Sequence, residues 1–116
     1  MLPRKRRISR KEFGNILSKG KRYNSPHLLM YVIKDSTSPI SKDSKFSFSV
    51  SKKVSKKAVD RNKYRRRGYS IVSQYLSIIK PGFICFFSFK KSNKPPKFLD
   101  LEKEVKSLLS ESGVLE

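Results

Sequence analysis

Nine cations crowd residues 51–69, SKKVSKKAVDRNKYRRRGY: Lys52, Lys53, Lys56, Lys57, Arg61, Lys63, Arg65, Arg66 and Arg67, against one acid, Asp60. Held by folded elements, such a cluster is suited to a polyphosphate chain. Each phosphate it neutralises releases condensed counterions, and that entropy supplies much of the affinity. Arginine adds geometry to charge, because its planar guanidinium can take two phosphate oxygens at once. Asn62 carries both a donor and an acceptor, so it can hold a loop backbone or a ribose hydroxyl. Asp60 falls in the first turn of a predicted helix, where an acid suits the helix dipole, and it is read as structural.

The remaining reactive residues do not assemble into a catalytic set. Metal-dependent phosphodiester cleavage needs clustered carboxylates. Here Glu12, Asp35, Asp43 and Asp60 are scattered, while Asp100, Glu102 and Glu104 share an expected surface helix with lysines. Metal-free acid–base cleavage often uses histidine. The one histidine, His27, begins a predicted strand and reads as a surface or capping residue. No catalytic residue and no metal ligand is therefore assigned to this chain. The single cysteine, Cys85, lies in an apolar run and reads as a buried core thiol. It excludes an intrachain disulfide and a cysteine-based zinc site, and fits a reducing compartment.

The elements that must position the cations are legible from periodicity. A length of 116 residues suits one domain, and 36% hydrophobic residues suffice for one modest core. A formal net charge of +19 calls for a polyanionic partner. No apolar stretch approaches the roughly 18 residues of a membrane span, and no secretory signal follows the basic N-terminus. Residues 1–7 form a basic arm; the domain proper is expected over 8–112, with a short tail at 113–116. Ser9 and Glu12 read as a capping box, and Phe13, Ile16 and Leu17 follow at helical spacing until Gly20. Residues 27–33 (HLLMYVI) read as a strand apolar on both faces. Residues 34–44 read as a loop. Residues 45–51 (KFSFSVS) alternate: Phe46, Phe48 and Val50 face a core, while Ser47, Ser49 and Ser51 face a surface left open for a ligand.

A second helix is predicted from Lys57 or Ala58 to about Ile79, ended by Pro81 and Gly82, with Gly68, Ile71, Val72, Tyr75, Leu76 and Ile79 forming its apolar stripe. Residues 83–89 (FICFFSF) are a third strand. A polar loop over 92–96 leads to a last helix marked by Phe98, Leu101, Val105, Leu108 and Leu109. The order α-β-β-α-β-α makes a small two-layer α+β sandwich, with helices on one face of a sheet. Extending the second helix's stripe backwards at about 100° per residue brings Arg61 and Arg65 to its core-facing side. Burying them unpaired would cost several kcal/mol each. The first turns are therefore expected to overhang the sheet edge, with Arg61 and Arg65 above a groove and Lys63, Arg66 and Arg67 fanning outward. Gly68 reads as a small residue under tight helix–sheet packing. A membrane-surface role would need the apolar stripe exposed, whereas the strands need it for their core.

The run Arg61-Asn62-Lys63-Tyr64-Arg65-Arg66, entered from FSVSKKV (residues 48–54), resembles the "RNR" motif of the bacterial ribonuclease P protein component. Arg10, Phe13, Lys19, Gly20, Lys21, the strand holding Tyr31 and the strand at 82–89 fit the same pattern, so the resemblance covers nearly the whole domain. It implies a fold like the second domain of ribosomal protein S5, with a left-handed β-α-β crossover where general rules give a right-handed one. It implies a cytoplasmic subunit of a ribonucleoprotein endonuclease, one protein per RNA. The catalytic RNA would remove the 5′ leader of precursor tRNA using Mg²⁺ bound mainly by that RNA. Arg61, Asn62, Arg65 and Arg66 would contact the catalytic RNA, supported by Lys52, Lys53, Lys56, Lys57, Lys63 and Arg67. Phe13, Leu17, Tyr31 and Ser49 would line a cleft for the single-stranded leader, where rings stack on bases. Leu17 stands where the family often has a second Phe, and Tyr69 where many members have Arg. A structural or ribosomal-type RNA-binding protein is the competing reading.

Overall fold

The structure, a computed structural model, describes residues 8, 10–34, 44–91 and 96–115. The basic arm at 1–7, the Ser9–Glu12 capping contact, and the loop residues at 35–43 and 92–95 lie outside this description. The elements run α1 (Arg10–Lys19), β1 (Lys21–Asn24), β2 (Leu28–Lys34), β3 (Lys45–Ser49), α2 (Ala58–Tyr75), β4 (Phe83–Phe89) and α3 (Phe98–Glu111). A single 3-10 turn, Leu76–Ile78, follows α2, so the predicted helix is α-helical only to Tyr75.

The strands form one mixed sheet in the order β1-β2-β4-β3. β2 pairs antiparallel with β1 and β4, whereas β3 and β4 pair in parallel through the α2 crossover. β1 (KRYN) was not expected. Three of its four residues are exposed, so it carries no alternating pattern, and it is held by its ladder to β2.

Alternation divides the sheet into two faces. Leu28, Met30, Val32, Phe46, Phe48, Cys85, Phe87 and Phe89 face the main core. Ile71 and Val72 of α2, and Leu101, Val105, Leu108 and Leu109 of α3, close it. Full burial drives the Cys85 thiol well above its ordinary pKa, as an unreactive core residue requires. The two-layer sandwich is thus formed by the sheet with α2 and α3. The expectation of helices on one face fails for α1, which packs against β2 and β4 from the opposite side through Phe13 and Ile16. The physical reason is that β2 and β4 are apolar on both faces and need cover on both.

The tail expected at 113–116 is also corrected. Gly113, at φ +78°, turns the chain at the end of α3, and Val114 returns to a fully buried position in the main core. Leu115 bridges Ile79. The apolar side chain of Val114 is the reason the chain folds back. At the other end of the core, Gly68 brings α2 against β3: a Cβ there would lie 2.5 Å from a ring carbon of Phe48.

Candidate nucleic-acid interface

α2 is anchored most fully through its C-terminal half, where Gly68, Ile71 and Val72 are buried, while half-buried Tyr64 holds the N-terminal half, its ring 5.9 Å from that of Phe89. The cation-rich half is preceded by the loop that leaves β3. This loop is closed by its own backbone: the amides of Val54 and Ser55 both donate to the Ser51 carbonyl. Arg61 then ties it to the helix, one guanidinium nitrogen donating to the Ser55 carbonyl at 3.0 Å and to the Lys56 carbonyl at 2.9 Å. Lys52, Lys53, Lys56 and Lys57 are left exposed on this braced loop.

The expected pairing of Arg61 with Arg65 over one groove is therefore not formed. Arg61 satisfies itself on loop carbonyls, the local answer to a half-buried guanidinium with no acid at hand. Arg65 instead lines a recess of about 500 Å³ with Asn62, Arg66, Val59 and Tyr69. These positions follow the helical spacing i, i+3, i+6, i+7 and i+10 from Val59, one continuous strip of α2. Arg66, expected to point away with Lys63 and Arg67, belongs to this strip. Lys63 is exposed and Arg67 half-buried, and neither lines the recess. Arg65 donates to the Asn62 side-chain oxygen, which orients the amide and leaves its NH₂ as the group that can donate outward. Sequence reasoning missed Val59 and Tyr69. The i+3/i+4 spacing around Asn62 was the signal that would have found them.

The second candidate region lies on the opposite face of the sheet. Register places Arg22, Tyr31, Phe86 and Ser47 in one row across all four strands, with Asn24, Leu29, Ser88 and Ser49 in the next. Phe86 is the hub: the Phe13 ring meets it edge-on at 4.5 Å between centroids, and the Tyr31 ring lies at 5.8 Å. Arg22 sits 5.7 Å from the Tyr31 ring centre, a cation–π contact. Because α1 packs on β2 and β4, the β3 side of this face keeps Ser47 and Ser49 half-exposed. Phe13 and Tyr31 are thus brought together through Phe86, and Ser49 lies two strands from Tyr31. Leu17 is 46% exposed beside them on α1 and joins no core cluster. Phe86, Ser88 and Arg22 were missed, although the alternation Ile84, Phe86, Ser88 carried the first two; the alternation over 45–51 had already put Ser47 on this open face.

His27 and Glu104 depart from their expected surface roles. One Glu104 oxygen accepts from the Ser25 hydroxyl at 2.6 Å and the His27 amide at 2.7 Å; the other meets His27 Nδ1 at 2.6 Å. Burial pushes the Glu104 carboxyl up, but the Ser25 and His27 hydrogen bonds and the histidine charge bring it below its ordinary pKa. This constellation latches α3 to the β1–β2 turn. Among the described residues, no three His, Cys, Asp or Glu side chains come together where they could hold a metal ion. No helix among them is long and apolar enough to cross a membrane.

Fold and site together define a small, strongly basic nucleic-acid-binding α+β domain. The family model for ribonuclease P matches residues 2–113. The ribonuclease P protein component of a Pseudanabaena strain is 33% identical over 116 residues, covering 99% of this chain and 97% of that protein. The protein component of Clostridioides difficile is 34% identical over 107 residues, covering 89% and 87%. In structure, the Staphylococcus aureus RNase P protein superposes with a TM-score of 0.83 at 22% identity, covering 96% of this chain and 98% of that one. The Thermotoga maritima RNase P protein gives 0.77 at 22% identity, over 90% and 96%. The chain belongs to the ribonuclease P protein component family. It is a protein subunit of the ribonuclease P endoribonuclease, an accessory to the ribonuclease P RNA.

Proposed function

We propose that this subunit holds two RNAs at once: the catalytic RNA on the α2 face and loop 51–57, and the 5′ leader of precursor tRNA across the opposite sheet face. The observation that carries this reading is the separation of the two regions. Phe48 faces α2, while its neighbours Ser47 and Ser49 face the cleft, so one strand divides the α2 side from the aromatic floor. Cations dominate the first region, which suits a structured RNA backbone. Aromatic rings and half-exposed serines make up the second, which suits unpaired bases.

In this reading Arg65, Arg66 and Asn62 contact the catalytic RNA, together with Lys52, Lys53, Lys56, Lys57 and Lys63. Arg61 braces the loop that presents four of those lysines, and Arg67 adds to the field. Phe13, Tyr31 and Ser49 line the leader cleft with Phe86, and Leu17 adds an apolar edge. The reaction is hydrolysis of the phosphodiester at the leader junction, performed by the RNA with Mg²⁺. That ion favours phosphate oxygens and water as ligands, which the RNA supplies. One protein acts per RNA, in the cytoplasm. Reconstitution tests the proposal: at low Mg²⁺, adding the protein to its cognate RNA raises the rate of leader removal from precursor tRNA. No rise in cleavage or substrate affinity would overturn it.

A further inference from the structure

The α2 recess has a composition that phosphate contact alone does not explain. Among the described residues that line it, Val59 and Tyr69 are apolar or aromatic. Val59 is 74% exposed, so its aliphatic surface is accessible to whatever enters the recess. Tyr69 is held rather than mobile. Its ring meets Phe48 edge-on at 5.1 Å, and its hydroxyl accepts the Phe48 amide at 3.3 Å. A fixed ring loses little freedom when a ligand packs against it. The recess, about 500 Å³ and half-open to solvent, has room to admit a planar group the size of a nucleobase. The polar groups are equally directed. Arg65 and Arg66 line it with positive charge, and Arg65 turns the Asn62 amide so that its NH₂ can donate to a carbonyl oxygen.

We propose that this recess takes one unstacked nucleobase of the ribonuclease P RNA, seated between Val59 and Tyr69, its carbonyl edge on the Asn62 amide and its phosphate on Arg66. The proposal rests on the reading that α2 docks on that RNA. It assigns the face a base contact in addition to backbone contacts. Base contacts and phosphate contacts differ in one measurable respect: only the latter release counterions and steepen the salt dependence.

The test measures binding of the full-length protein to the complete ribonuclease P RNA, without substrate, over a range of salt concentrations. Val59→Ser, at an exposed site, and Tyr69→Leu each weaken binding about tenfold with an unchanged salt slope. Tyr69→Phe, which keeps the ring, binds nearly as wild type. Arg66→Ala flattens the slope by about one unit. Melting curves verify the fold of each variant, and Val59→Ser carries the test should Tyr69→Leu disturb Phe48. Wild-type binding by folded Val59→Ser and Tyr69→Leu, alongside a flattened slope in Arg66→Ala, would overturn the base pocket and leave α2 docking intact. Wild-type affinity and slope in Arg65→Ala/Arg66→Ala as well would overturn both.

Discussion

Replacing Gly68 with alanine tests how the cation face is set on the sheet. Two effects oppose each other. Alanine is favoured over glycine inside a helix by about 1 kcal/mol. The added Cβ, however, would lie 2.5, 2.6 and 2.8 Å from three ring carbons of Phe48, so atoms must move. Phe48 has little room to give way: it stacks on Phe87 at 4.6 Å between centroids with planes 8° apart, and Tyr69 abuts it at 5.1 Å. Overpacking a core of this kind costs about 1–3 kcal/mol, and a blocked neighbour points to the upper end. The balance is a net loss of about 2 kcal/mol, or a melting temperature lower by about 10 °C. Urea unfolding and calorimetry read both quantities. Affinity for the ribonuclease P RNA falls as well, because α2 must lift from β3 and carry Arg65 and Arg66 with it. A Gly68→Ala protein as stable as wild type would refute the close-packing argument.

Other expectations follow from single contacts. Arg61→Ala frees the Ser55 and Lys56 carbonyls, so amide exchange across residues 51–57 accelerates, while the rest of the domain keeps its protection. Glu104→Ala removes the acceptor for Ser25 and His27 and costs about 2 kcal/mol at neutral pH, read by urea unfolding. Since the Glu104 pKa is lowered by folding, its charge stabilises the native state above its unfolded pKa. That part of the difference between wild type and Glu104→Ala is lost as pH falls through the depressed value, and an acid titration of both proteins checks it. Phe86→Leu removes the ring on which Phe13 and Tyr31 converge and should weaken leader binding more than assembly with the RNA, checked by comparing the two affinities.

Much of this was legible before folding. The alternation in KFSFS assigned Phe46 and Phe48 to the core and Ser47 and Ser49 to the other face, because a strand has no other way to dispose of period two. The RNR pattern located the family. What escaped notice depended on tertiary partners. β1 exists through its pairing with β2 and has no pattern of its own. Val114 looked like part of a tail over 113–116, whereas a left-handed Gly113 turns it inward. Extending the apolar stripe put Arg61 and Arg65 on one groove, but it could not know that loop carbonyls would stand within reach of Arg61. Glu104 sat among lysines in sequence and found its partners across the fold, at the β1–β2 turn.

In the proposed reading, two separable RNA surfaces lie on either side of the sheet. One paired measurement tests it: affinity for the ribonuclease P RNA and affinity of the holoenzyme for precursor tRNA, each in Arg65→Ala/Arg66→Ala and in Tyr31→Ala. The arginine variant should lose RNA affinity with a salt slope lower by about one to two units, while Tyr31→Ala assembles normally and loses precursor affinity only when a leader is present. Equal losses of both affinities in each variant, or a Tyr31→Ala defect independent of the leader, would contradict it.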